Sequence, residues 1–429
     1  MTDTAIADYR LVTVAARSSV ELPLSAVLKG GRIQVYPEVE SEGLLFLQFQ
    51  GGKIRLTAGK YVGLIPLTPD ITVDVRPKLP VRNLARVLDQ ARASLGSVAL
   101  DRYYEATDDQ GTTILEFLLS NLVNSLQSVQ ENGYLKNYIS QVDAGALHGR
   151  LLAGQTLKSL WSRGERHKVV TESFQQSVDV AANRVIKFAL ERATATLCRV
   201  RPSSPILHKA NRTHGNFPRS VEALLHNDLK ICRAALRSRS LPASRAYYYR
   251  PLEISELLLG NSAVSLERTG EDVQLQTFIL NFEEVFENYL RHILAARVPT
   301  GCDVRDGNGE GARPLYDDRA DPPAQPDIVL EHVGSQPVIV EVKYKDKPDR
   351  ADVNQVVTYA AAYRATNVVL VHQAKTAAQT GAQLRGKING TNVFTYGFDL
   401  SAHDLEGQEA AFATAMSAFV TESVHMAAA

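Results

Sequence analysis

The sequence predicts a multidomain α+β protein, and three observations carry that prediction. Short apolar or alternating runs separated by Gly, Pro and Asp turns dominate residues 1–95, a β-rich pattern. Apolar residues then recur at helical spacing across a mostly helical, basic region at 96–265. From 266 to 429 helix and strand patterns alternate, which describes a mixed α/β sheet with helices on its faces. At 429 residues the chain is too long for one ordinary core, so several domains are expected.

In the first segment ELPLSAV, GRIQVYPEV, GLLFLQFQ, KIRLTAGKYVGLIPL and ITVDVRPKL read as strands, with no catalytic cluster among them. The segment therefore reads as an interaction module. In the middle, Ile114, Leu115, Leu118, Leu119, Leu122 and Leu126 mark one helix, and DVAANRVIKFAL (179–190) and Val221 to Leu236 mark others. RPSSP (201–205) breaks two of them, and Trp161, the single tryptophan, is expected as a buried anchor. In the last segment an amphipathic helix is expected near 275–297, with strands at 327–332, 338–344, 367–372 and 392–396. Helices fill about 350–363 and the stretch from 405 onward.

Composition is that of a globular protein, 45% hydrophobic and 22% charged, with a formal net charge of +0. No run approaches the ~18 apolar residues of a membrane span. The start, MTDTAIADYR, lacks the basic and apolar regions of a secretory signal. Cys198, Cys232 and Cys302 form no CxxC pair, so neither a disulfide framework nor structural zinc is expected. A cytoplasmic protein with no membrane contact is the expectation. The neutral total hides a basic stretch: no acidic residue occurs from Arg192 to Ser220, which contains Arg199, Arg201, Lys209 and Arg212. Such a stretch suits DNA phosphates, although arginines solvated on helix faces give the same pattern.

The chemistry concentrates in PDIVL (326–330) and VIVEVKY (338–344). Side chains alternate along a strand, so Glu341 and Lys343 share one face while Val340, Val342 and Tyr344 share the other. Charges in an apolar strand need water, a partner or a metal. Asp327 supplies a second carboxylate if a hairpin through HVGSQP makes the two strands neighbours. Two carboxylates suit Mg2+, which keeps several waters of its own; Mn2+ is expected to substitute. The Val342 main-chain carbonyl completes the expected metal set, and Lys343 is expected to orient the attacking water. A surface hairpin with a Glu–Lys pair is the bland alternative. On the next helix Asp352, Gln355, Tyr359 and Tyr363 share a face, and Gln355 is the site-like one. Upstream, Glu287 is either an accessory carboxylate or the partner of Arg291 at i,i+4. Gly381 to Lys387 matches the spacing of a phosphate-binding loop, but Ile388 stands where Ser or Thr should bind magnesium and no helix is expected after it. No nucleotide is expected on this chain.

PD, then EVK, then a helix bearing QVVTYA resembles the PD-(D/E)xK (restriction-endonuclease-like) nuclease superfamily. More specifically, YVGLIPLTPDITVDVRPKL (61–79), GYLKNY (133–138), LHGRL (147–151), DVAANRVIKFAL, YRPLEISELLL (249–259) and FENYL (286–290) resemble, in order, the McrC family. The resemblance implies the nuclease subunit of a modified-cytosine restriction system: a Mg-dependent endodeoxyribonuclease acting on double-stranded DNA with modified cytosine. It implies Asp327, Glu341 and Lys343 as the catalytic triad, with Glu287 and Gln355 at accessory positions. It implies a McrB-like AAA+ GTPase ring as partner, docked by the N-terminal part, whose GTP hydrolysis this chain stimulates. A stand-alone nuclease and a non-catalytic, DNA-holding GTPase activator are the rival readings. Because reader and motor are expected on another chain, residues 1–95 are expected to be removable with the C-terminal domain still folded.

Overall fold

The computed structural model describes residues 11–91, 113–260, 278–319 and 321–427. The chain packs as two compact units, one formed by 1–114 with 261–429 and the other by 115–260. The first and last segments thus share a unit.

The reason is a non-local strand pairing. Phe278–Asn281 lies antiparallel to Tyr61–Pro66, completing a sheet ordered Leu11–Ala15, Thr72–Arg76, Tyr61–Pro66, Phe278–Asn281. The helix expected from about 275 consequently begins later, at Phe282, and runs to Arg297. Ser19–Pro23, Lys53–Ala58 and Leu45–Gln50 form a second sheet. GRIQVYPEV is not one strand: it holds the two-residue strand Arg32–Ile33 and the start of the short helix Pro37–Ser41, with proline in its first turn where no amide hydrogen is needed.

Polar contacts bind residues 11–91 to the C-terminal part. The Lys78 amide donates to the Tyr344 hydroxyl (3.0 Å), and Gln373 Nε2 donates to the Lys78 carbonyl (2.8 Å). Asn83 Nδ2 donates to the carbonyls of Leu400 (2.7 Å) and Ala402 (2.9 Å). Arg86 grips Glu409 with two bonds of 2.6 Å each. The same buried carboxylate accepts from Tyr289 Oη (3.0 Å) and Arg297 (3.0 Å). A separable N-terminal module is therefore corrected: its removal strips an arginine from a buried carboxylate.

The C-terminal sheet runs Cys302–Asp306, Ile328–His332, Val338–Lys343, Asn367–Gln373, Thr391–Phe398, Gly381–Ile388. Its three middle strands, Val338–Lys343, Asn367–Gln373 and Thr391–Phe398, are parallel. Every residue of Asn367–Gln373 (NVVLVHQ) is buried, as expected of a parallel strand covered on both faces. Helix Arg350–Tyr363 covers one face, setting Val356, Ala360 and Tyr363 against Val329, Ile339, Val368, Leu370 and Val393. Phe282 and Phe286 pack on Tyr344, and Phe412 of the helix Leu405–Ala427 packs on Tyr396 and Phe398. Gly381–Ile388, the phosphate-loop lookalike, is an exposed strand followed by a turn and a second strand.

The other unit holds helices Ile114–Asn132, Ala181–Val200, Ile206–Gly215, Asp228–Ser238 and Tyr249–Gly260. It also contains a sheet that the helical reading passed over: Arg150–Leu151, Val169–Ser177 and Asn137–Gly145. Residues 221–227 lie outside the helix expected there. Trp161 is a correction, since it is 42% exposed, with its indole N–H donating to the Lys168 carbonyl (3.0 Å). The buried anchor is Tyr248, whose hydroxyl donates to Asn183 Oδ1 (2.6 Å) and accepts from the Leu135 amide (2.7 Å). All three cysteines are free. Among the described residues no helix is long and apolar enough to cross a membrane.

Candidate metal centre

The hairpin that the sequence required is present. Ile328 pairs with Val340 across antiparallel strands, which sets Asp327, one residue earlier, beside Glu341. The Val342 amide donates to Asp327 Oδ2 (2.7 Å), and the Asp327 amide donates to Glu341 Oε2 (3.3 Å). Each carboxylate is thus oriented by the other strand's backbone. Glu341 and Lys343 do share a face, with Lys343 Nζ 2.9 Å from Glu341 Oε1. That face is covered as well, and Glu341 is 1% exposed.

Glu287, Asp327, Glu341, Val342, Lys343 and Gln355 all line one cleft of ≈ 420 Å³. Glu287 accepts from Arg291 at i,i+4 (2.8 Å) and also borders the cleft. Arg291 also donates to the Asp327 carbonyl (3.3 Å) and pairs with Asp306 (3.1 Å), so it fixes the start of the Asp327 strand. The helix face of Asp352, Gln355, Tyr359 and Tyr363 divides. Gln355 donates to Tyr359 Oη (3.1 Å) and both line the cleft. Asp352 instead closes a capping box with Asp349. Tyr363 is buried and donates to the Gly311 carbonyl (2.6 Å).

Residues the sequence reading missed also border the cleft, chiefly Lys60, Glu283 and Glu284. A signal existed for Glu283: with Glu287 it makes a like-charge i,i+4 pair, which disfavours a helix unless a cation is near. Lys60 gave none, because a turn from a distant segment delivers it.

The electrostatics are those of excess negative charge. Burial, then Glu341 and Glu287, push the Asp327 carboxyl well above its usual range. Burial also raises Glu341, against the pull of Lys343, and raises Glu287 against Arg291. For Lys343 burial acts downward, but attraction to Glu341 and Asp327 prevails and the shift is upward. Among the described residues lining the cleft, the carboxylates Glu283, Glu284, Glu287, Asp327 and Glu341 outnumber the cations Lys60 and Lys343, while Arg291 offsets Glu287 from behind.

Such a donor set fits a hard divalent cation, which would relieve the repulsion between buried carboxylates. Among the described residues no group of three or more His, Cys, Asp or Glu has a metal-holding arrangement.

The basic residues of the middle unit stand apart in character. Arg201 is paired with the buried Glu116 (2.8 Å), so its charge is offset. Arg199, Lys209 and Arg212 are exposed, with Lys209 donating to Asn124 Oδ1 (2.7 Å).

The family model described as McrBC 5-methylcytosine restriction system component matches residues 56–372. The chain belongs to this family. The match spans both compact units and reaches through Asp327, Glu341 and Lys343. A search of curated proteins finds no match. Among solved structures the fold is similar to a half-complex from a tetradecameric assembly of Thermococcus gammatolerans McrB AAA+ hexamers with bound McrC. That comparison has TM-score 0.63 at 13% identity and covers 96% of this chain and 100% of that one. A structure of the Thermococcus gammatolerans McrBC complex aligns with TM-score 0.45 and 14% identity, over 66% of this chain and 87% of that chain.

Proposed function

We propose that this restriction-system component is the DNA-cleaving subunit, and that its C-terminal sheet is a PD-(D/E)xK nuclease. The observation that carries the reading is the convergence of Asp327, Glu341 and Lys343 in one cleft with Glu287 and Gln355. Asp327 and Glu341, with the Val342 main chain, would hold Mg2+. The metal's contribution there is to polarise a phosphoryl oxygen and acidify a water. Lys343, already held by Glu341, orients the attacking water and offsets negative charge growing on the phosphate. In the reaction a water oxygen bonds to phosphorus, one ester bond breaks, and the departing oxygen takes a proton. Gln355 and Tyr359 line the same cleft, where an entering DNA strand would meet them.

The partner is proposed to be a McrB-like AAA+ ring, because the solved relative of similar fold is McrC bound to McrB AAA+ hexamers. This chain would stimulate that ring's GTP hydrolysis, while the ring reads modified cytosine. The decisive assay incubates full-length protein with plasmid DNA carrying 5-methylcytosine, Mg2+ and GTP, with and without the AAA+ partner. Cleavage that requires both partner and metal supports the reading. Metal-dependent cleavage by the chain alone points to a free-standing nuclease, and stimulated GTP hydrolysis without any cleavage points to a DNA-holding activator.

The exposed basic residues of the middle unit are proposed to touch DNA phosphates. Replacing Arg199, Lys209 and Arg212 with Ala together should weaken binding at all sequences alike and reduce the salt slope by about 1 per lost phosphate contact. A salt titration with an unchanged slope would show these side chains to be only a solvated surface. Arg201 is left out because its partner is Glu116.

A further inference from the structure

Resting on the nuclease reading above, we propose that Arg17, on the N-terminal β segment, is a positioning residue for the catalytic strand. The strand Val338–Lys343 ends at the lysine, and its last pairing with the neighbouring parallel strand is Lys343 with His372. The chain bends at once, with the Lys345 amide donating to the Lys343 carbonyl (2.8 Å). Tyr344, at the bend, is gripped from three directions. Phe282 packs against its ring at 4.8 Å between centroids, and its hydroxyl accepts from the Lys78 amide (3.0 Å). Its carbonyl accepts from Arg17 Nε (3.2 Å).

Arg17 reaches that carbonyl from an unfavourable backbone. It occupies the turn between Leu11–Ala15 and Ser19–Pro23 with φ of 57°, the left-handed region that favours glycine. The turn is held on both sides: the Ala16 amide donates to the Arg76 carbonyl (2.8 Å), and the Ser18 carbonyl accepts from the Ala58 amide (2.9 Å). A side chain imposed in such a conformation by its surroundings is a pointer to function. The guanidinium also lies 3.8 Å from Glu283, to which Lys60 comes within 3.7 Å. Lys60 and Glu283 border the cleft. The N-terminal segment therefore reaches the site in two places: first at its rim, where Lys60 and Arg17 approach Glu283, and second at the residue after Lys343, where Lys78 holds the Tyr344 hydroxyl and Arg17 its carbonyl. Loss of the Arg17 contact there lets the strand end, and with it the Lys343 ammonium, drift from the phosphate. Displacements of that order, about 1 Å, cost about 100-fold in rate.

The test exploits the backbone strain. Arg17→Gly removes the guanidinium and relieves the left-handed conformation, so a merely structural role predicts unchanged activity wherever Tm is retained. Arg17→Asn, which tolerates the same φ but cannot reach Tyr344, serves as a second variant. Both are assayed as full-length chains with the AAA+ partner, GTP, Mg2+ and a 5-methylcytosine plasmid. The expected result is a kcat lowered by about 10- to 100-fold, with KM, Tm and stimulated GTP hydrolysis unchanged. Wild-type kcat in either variant overturns the proposal. So does a parallel fall in GTP hydrolysis, which would make Arg17 a docking residue, or failure of both variants to fold, which would make it a structural staple. Lys343→Ala run alongside separates the two readings. If that variant cleaves normally the nuclease site itself is misplaced, whereas an inactive Lys343→Ala beside a fully active Arg17→Gly refutes only the role of Arg17.

Discussion

Lys343→Ala is expected to lower cleavage of methylated plasmid by about 100- to 1,000-fold while leaving the protein folded, the loss typical of one preorganised donor. Asp327→Asn should abolish cleavage more completely, since it removes half of the carboxylate pair. Its effect on stability has the opposite sign. The Asp327 carboxyl is raised by burial and by the neighbouring Glu341 and Glu287, so its charge is a burden on the folded state. An amide keeps an oxygen to accept the Val342 N–H and sheds that charge. Without metal, Asp327→Asn should therefore melt at the same temperature as wild type or higher. With metal the order should reverse, because only wild type gains stability from an ion that binds the native state. Thermal melts of both proteins with and without Mg2+ read this directly. A metal-dependent rise of equal size in the variant would remove Asp327 from the site.

The second large effect is structural. Glu409 is buried and accepts from Arg86, Tyr289 and Arg297. Glu409→Ala leaves two arginines and a tyrosine without their shared acceptor. Breaking a buried pair from one side costs about 3–5 kcal/mol, and the lower end applies because Arg86 and Arg297 keep part of their surface in water. Denaturant unfolding of the full chain should show that loss, and a change under about 1 kcal/mol would fall to the level of a surface pair. The same geometry forecasts that a chain lacking residues 1–95 loses stability in its C-terminal sheet. The docking role of the N-terminal segment is therefore better probed by substitutions on its exposed strands than by truncation.

The sheet that carries the site was legible because its signals are local. Val338–Lys343 has an apolar face and two charges at i and i+2, and NVVLVHQ is a continuous apolar run. A hairpin between short strands leaves one natural register for Asp327. What escaped was non-local or exposed. Nothing in FILN says that it pairs with residues 61–66 across more than two hundred positions, so the helical spacing extends through it. Asn137–Gly145 is exposed at eight of its nine positions, and a strand with no buried face shows no alternation to read. Trp161 misled because tryptophan is usually an anchor, whereas here a single indole N–H bond to Lys168 holds it at the surface. Neither Lys60 at the cleft nor Arg17 at the Tyr344 carbonyl could be placed from sequence, since turns far from the EVK strand bring them there.

On the proposed reading the carboxylates of Asp327 and Glu341 form a divalent-metal centre. The most direct measurement is anomalous diffraction from crystals of the full chain soaked in Mn2+, beside the Glu341→Gln variant treated identically. A manganese peak between Asp327 and Glu341 in the wild type, lost or much weakened in the variant, is the predicted result. A cleft with no peak at saturating metal, or an equal peak in Glu341→Gln, would contradict the account.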